Sequence, residues 1–235
     1  MVSILNYEGQ NVMRQAKNVR QTVLLVVVGG CLSALITPGC SFGPSRVLPP
    51  EIDPSGAAAA AILEYDADGD GALSGTELDR VPAIKGKATL FKYDKDSDGT
   101  VTAAEISARI EEWKASMTGI GRPFQCTIML DGKPLEGATV KFIPEAFLGP
   151  AVKGGSGKTS GRGTVRVRMS EADLPGDLKG VSGMQLGLFR VVVTHPTKTI
   201  ASEFTDVSTT PLGEENAHDR RIRSPADVVL NVKSR

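Results

Sequence analysis

The chain has 235 residues, with 27 basic and 27 acidic side chains, 40% apolar residues, three cysteines and two histidines. That length holds one large domain or two small ones. A formal net charge of zero gives no strong basic field, so nucleic acid is not an expected partner. His195 and His218 lie far apart with no cysteine beside them, which speaks against a zinc site and a histidine-based triad.

The first forty residues differ from the rest. Arg14, Lys17 and Arg20 precede an apolar run from Thr22 to Val28, which resumes after Gly29-Gly30 as Cys31 to Ile36. A basic segment followed by a short, glycine-broken apolar stretch reads as a secretory signal over residues 1–40 rather than a membrane span. A start at Met13 instead of Met1 would give a more usual signal length. Val28-Gly29-Gly30-Cys31 has the aliphatic −3 and small −1 residues of a lipobox. Cys40 stands where the region ends and a polar stretch begins. Cys31 or Cys40 is therefore the expected lipidation site, with plain secretion and an uncleaved membrane anchor as alternatives. Acyl chains anchor at about 0.8 kcal/mol per buried methylene. The expected location follows from secretion across the inner membrane: a membrane-anchored lipoprotein facing the periplasm or cell surface. Residues 41–54 hold four prolines and suit an extended tether.

A helix is expected from about Ser55, acting as its cap, through Ala57–Ala61. Two twelve-residue stretches follow, Asp66 to Glu77 and Asp94 to Glu105. Each has carboxylates at positions 1, 3, 5 and 12 and glycine at 6, the complete pattern of an EF-hand calcium loop. A hard cation takes six to eight oxygens at about 2.3–2.6 Å, and alternate residues of a tight turn can converge on it. The expected ligands are Asp66, Asp68, Asp70, the Ala72 carbonyl and Glu77 in loop one. In loop two they are Asp94, Asp96, Asp98, the Thr100 carbonyl and Glu105. Ser74 and Thr102, at position 9, would hold water or coordinate weakly. Gly71 and Gly99 allow the sharp reversal, and Leu73 and Val101 at position 8 should pair across a short β-bridge.

Ile62, Tyr65, Leu90 and Tyr93 before the loops should face the opposite hand, with Leu78, Val81, Ile106 and Ile110 behind them. The connector from Leu78 to Tyr93 is short and contains Pro82 and Gly86. The helices are also poor in the methionine that opening sensors use. A compact pair with two structural Ca2+ ions is expected, ending in a helix from about Ala103 to Ser116 that carries Trp113.

After a linker at 118–124 the pattern alternates with period two. Strands are expected at Cys126–Leu130, Ala138–Ile143, Gly163–Met169, Leu188–Thr194 and Val228–Val232. About seven short strands over this region argue for a β-sandwich. The fold class is thus α+β multidomain: a small all-α EF-hand pair at 55–117, then an all-β sandwich at 125–235.

The sandwich region carries a resemblance in LDGKPLEGATVKFIPE (130–145), GKTSGRGTVRVRM (157–169), LPG (174–176), FRVVVTHP (189–196) and TTPL (209–212). These segments resemble a carboxypeptidase regulatory-like, transthyretin-like domain, as found in small lipoproteins of planctomycete-type bacteria. The resemblance implies a prealbumin-like sandwich without peptidase activity, used for binding or spacing. The turn Ser160-Gly161-Arg162-Gly163 departs from the family's Asp-x-x-Gly, and the segment Gly176–Leu186 is longer than the family's.

Other motifs lead less far. Gly154 to Thr159 suggests a phosphate loop, but Val152 stands where the motif needs glycine and no helical period follows. A flexible loop is expected there, and no nucleotide. Asp206, Glu214, Glu215 and Asp219 read as a solvated acidic loop, and Cys126 as a small buried residue. With no catalytic constellation in view, the expected protein is not an enzyme. It is a calcium-binding lipoprotein whose sandwich is a display or interaction module toward a cell-surface protein or polysaccharide. The alternatives are a calcium-dependent docking module and an accessory domain of a surface enzyme system.

Overall fold

The computed structural model describes residues 48–235, apart from 87–88, 175–177, 179 and 220–223. The expected signal segment, Cys31, Cys40 and the tether as far as residue 47 lie outside the described residues. Ile52, late in the proline-rich stretch, is buried in the core.

Helix α1 spans Pro54–Tyr65 and is capped by Asp53, whose carboxylate accepts from the Ser55 N–H at 3.1 Å. Asp53 rather than Ser55 is the cap because Pro54 takes the first helical position, where its missing N–H costs nothing. Ala57, Ala58, Ala61 and Tyr65 form its buried side. The chain continues through β1 (Ala72–Ser74), α2 (Gly75–Asp79), α3 (Pro82–Lys85), α4 (Leu90–Tyr93), β2 (Thr100–Thr102) and α5 (Ala103–Ala115). Next come β3 (Phe124–Leu130), β4 (Lys133–Pro134), β5 (Thr139–Pro144), β6 (Gly155–Lys158) and β7 (Thr164–Val167). The last strands are β8 (Gly187–Thr194), β9 (Gly213–Asn216) and β10 (Val229–Val232).

β1 pairs with β2. One larger sheet has the order β10-β3-β4, with β7 also on β3; the other runs β6-β5-β8-β9. β10 lies parallel to β3, and the remaining pairs are antiparallel. A mutual bridge between Ser156 and Arg168 links the two larger sheets through β6 and β7. A two-residue turn joins β3 to β4, and its central residues have positive φ, 49° at Asp131 and 77° at Gly132. This is the left-handed turn that matches strand twist.

The expected fold class is corrected here. The described residues are mostly β, with ten strands in three sheets and five short α-helices, and they contain no small all-α pair. Two physical causes are visible. Between the loops, Pro82 and Gly86 limit α2, α3 and α4 to 5, 4 and 4 residues, too short to form a self-sufficient bundle. Of these, α3 therefore packs against β8 and β9, and α2 and α4 lie against α3. One hydrophobic core runs from Ile52 and Tyr65 through Ile84, Tyr93 and Trp113 to Phe142 and Phe189. At Gly213 on β9 the backbones nearly touch, since a Cβ there would lie 2.2 Å from the Ala83 nitrogen. The helices form a layer on the β-structure and share its core.

The stretch read as a flexible loop, Gly154 to Thr159, contains strand β6. Its pairing needs glycine: a Cβ at Gly157 would lie 2.5 Å from the Arg166 carbonyl oxygen. Within the sheets, Phe124, Phe142 and Phe189 stack in sequence with ring centroids 4.9 and 6.1 Å apart. No helix among the described residues is long and apolar enough to cross a membrane.

Candidate metal centre

Both acidic loops fold back on themselves through their own carboxylates. In loop one, Asp66 accepts from the N–H of Gly69 at 2.6 Å and of Gly71 at 2.9 Å. In loop two, Asp94 accepts from the N–H of Asp98 and of Gly99, both at 3.1 Å. The position-12 glutamates close the loops. Glu77 accepts from the N–H of Ala67 at 2.7 Å and Ser74 at 2.9 Å; Glu105 accepts from those of Lys95 and Thr102, both at 2.9 Å. Gly71 and Gly99 have φ of 87° and 88°, the left-handed region that makes glycine the fitting residue at position 6. Behind the loops β1 and β2 pair in the expected register, Leu73 opposite Val101, and both side chains are fully buried.

Two groups of carboxylate oxygens result, each within 4.8 Å: Asp66, Asp68 and Asp70 in one, and Asp94, Asp96 and Glu105 in the other. Each group could hold a metal ion. The expected ligands Glu77 and Asp98 stand outside them. Glu77 is engaged with backbone N–H groups, and Asp98 accepts from the Thr100 N–H and hydroxyl, both at 2.8 Å. Ala72 and Thr100 lie on the paired strands at the mouth of each loop. The donor set is oxygen only and strongly anionic, which fits a hard divalent cation and not a thiolate- or imidazole-seeking one.

The loop carboxylates take part in none of the ion pairs among the described residues. Backbone donors hold several of them below the usual carboxylate range. The Gly71 N–H does so for Asp66, the Ser74 N–H for Glu77 and the Thr100 N–H for Asp98. These backbone donors favour the ionised form of Asp66, Glu77 and Asp98.

Each loop is entered through a tyrosine fixed to a buried carboxylate of the β-structure. Tyr93, directly before Asp94, donates its hydroxyl to Glu215 at 3.3 Å. Glu215 on β9 also accepts from Arg109 Nε at 2.7 Å and Nη2 at 3.0 Å, from Lys92 at 3.0 Å and from the Trp113 indole at 3.2 Å. Arg109 and Lys92 reach on to Asp219, at 2.8 and 3.1 Å. Partial burial opposes ionisation of Asp219, but Arg109 and Lys92 outweigh it and hold its carboxyl down at about 2.

At loop one, Tyr65 directly precedes Asp66 and donates to Glu145 at 3.1 Å, while Arg190 Nε reaches the same Glu145 oxygen at 3.0 Å. Arg80 and Arg190 lie over the Tyr65 ring, 5.5 and 5.8 Å from its centroid. These side chains border a cleft of about 590 Å³. Burial pushes the Glu145 carboxyl up, and its Oε1 makes no hydrogen bond.

The tyrosines thus hold the β-structure, and Glu215 is a buried anchor where a solvated loop was expected. Arg109 was a legible signal. It sits at helical spacing among Ile106, Ile110 and Trp113, all on the buried side of α5, where a cation needs a buried acid. Glu145 and β9, a Gly-Glu-Glu-Asn strand, carried no such mark. Cys126 is buried as expected. His195 hydrogen-bonds the Glu136 carbonyl at 2.8 Å, away from either loop. In comparison with known proteins, the chain matches no family model, no curated protein and no solved structure.

Proposed function

We propose that this chain binds two calcium ions, one in each acidic loop, and that the ions brace the helical layer against the β-structure. The observation that carries this reading is the same fold-back in both loops. Position 1 accepts from the glycine at 6, position 12 accepts at positions 2 and 9, and the loops are back-paired through Leu73 and Val101. Asp66, Asp68, Asp70, the Ala72 carbonyl and Glu77 would hold one ion, and Asp94, Asp96, Asp98, the Thr100 carbonyl and Glu105 the other. The ions supply positive charge that relieves repulsion among the clustered carboxylates.

The bracing role rests on connectivity. Tyr65 leads into loop one and is hydrogen-bonded to Glu145. Tyr93 leads into loop two, Arg109 follows it on α5, and both are bonded to Glu215. Closing either loop fixes residues that grip the sheets. The signal-like N-terminus and Cys31 or Cys40 support a lipid-anchored, extracytoplasmic setting. There calcium saturates even sites with dissociation constants of about 10⁻⁴–10⁻³ M. The β-structure, whose sequence resembles a carboxypeptidase regulatory-like domain, then serves as a display or interaction module without catalysis of its own.

Isothermal titration of the chelator-treated chain with CaCl2 tests this. Two sites are expected in the wild type, and one each in Glu77→Gln and Glu105→Gln. Absence of binding heat, or two unchanged sites in both variants, would refute it.

A further inference from the structure

The neutral net charge hides a segregation. Residues 146–170 contain Lys153, Lys158, Arg162, Arg166 and Arg168 and no carboxylate. In the fold β6 and β7 form a hairpin. Ser156 pairs with Arg168 at one end, and at the other the Ser160 N–H donates to the Thr164 carbonyl at 2.8 Å. The Ser160 and Thr164 hydroxyls meet at 2.7 Å, so these residues share a face. The same register sets Lys158 beside Arg166 between them, because directly opposed residues point to one side of a sheet.

On the flanks Lys141 of β5 lies opposite Ser156, and Gln125 of β3 opposite Arg166. Lys141, Lys158, Arg162, Arg166 and Arg168 are all exposed. None takes part in an ion pair among the described residues, whereas Lys85, Lys92, Lys95, Arg109 and Arg190 all do. Cations two residues apart on a strand are about 6.8 Å apart, and neighbouring strands lie about 4.8 Å apart. The arrangement is an open cationic lattice.

We propose that this outer face of β5, β6 and β7 binds an acidic polysaccharide. The lattice meets regularly spaced carboxylates or sulfates. The polar side chains among the cations, Ser156, Thr164 and Gln125, offer hydrogen bonds to sugar hydroxyls. The other polyanions fit less well. The one aromatic residue on these strands, Phe142 of β5, is buried on the core side, so the outer face has no ring to stack on nucleobases. None of the exposed large apolar residues belongs to them, so nothing enters a bilayer. The face shares no residue with the acidic loops, and the proposal does not depend on calcium binding.

The test measures binding of the full chain to dextran sulfate, with uncharged dextran as the blank, in chelator and again in calcium. The wild type should bind dextran sulfate alone, equally in both buffers, and release it as salt rises. The exposed charge reversal Lys158→Glu/Arg166→Glu/Arg168→Glu should weaken binding by about tenfold or more. The control Lys133→Glu/Lys198→Glu/Lys233→Glu makes the same change in net charge elsewhere and should cost less than about threefold. Circular dichroism verifies that both variants are folded. Equal loss in the two variants would overturn the proposal, as would no loss in the first. Tighter binding of phosphatidylglycerol vesicles or duplex DNA than of dextran sulfate would overturn the choice of partner.

Discussion

Arg109→Met removes the cation at the centre of the grip between α5 and β9. Arg109 is 2% exposed and Glu215 0%, and two of the arginine's hydrogen bonds reach that one carboxylate. Taking one partner from a buried pair costs about 3–5 kcal/mol, because the other charge stays buried. Lys92, Tyr93 and Trp113 still donate to Glu215, so the expected loss lies at the lower end, about 3 kcal/mol. For a chain of this size that lowers Tm by about 6–12 °C.

The double variant Arg109→Met/Glu215→Leu removes both charges but strands the other three donors. It should cost less than the sum of the single losses, by about 1–3 kcal/mol. Urea unfolding followed by the fluorescence of Trp113, the only tryptophan, reads all three variants in saturating calcium. A loss under about 1 kcal/mol for Arg109→Met, or strict additivity, would show that the pair does not hold α5 to the sheet.

Two further outcomes follow from the same geometry. Gly157→Val puts a Cβ 2.5 Å from the Arg166 carbonyl oxygen. It should destabilise by about 1–3 kcal/mol, whereas a flexible loop there would tolerate it; thermal melts separate the two. The second outcome concerns acid. Asp66, Glu77, Asp98 and Asp219 all have carboxyls lowered in the fold, so their contribution is complete above the unfolded carboxylate range near about 4. It is lost as pH falls from there towards the folded values, about 2 for Asp219. Stability of the calcium-free chain should therefore fall as pH drops below about 4. A flat profile between pH 4 and pH 2 would contradict the hydrogen-bond pattern of the loops.

Much of the candidate site was legible because it is local. A twelve-residue loop carries its own carboxylates, its own glycine at the reversal and its own closing glutamate, so spacing alone placed Asp66 to Glu77 and Asp94 to Glu105. The pairing of Leu73 with Val101 followed from the same spacing. Several strands were legible from period-two alternation, including Val191 to Val193 in the centre of a sheet. Strands β6 and β9 were not, because Gly-Ser-Gly-Lys and Gly-Glu-Glu-Asn show no apolar alternation. Both exist through their neighbours: β6 because glycine lets it approach β7, and β9 because α3 and Arg109 cover it.

Sequence by itself determined the two acidic loops, the alternating strands and the excess of cations between residues 146 and 170, since each depends on residues close together in the chain. Only the tertiary structure decided that the helices form a layer rather than a domain. It also decided that Glu145 and Glu215 anchor the two loop entrances and that the cations share one open face. Those results depend on contacts across up to 127 residues of chain, as between Lys92 and Asp219. Helices too short to bury their apolar sides on one another complete their core on whatever surface folding brings to them.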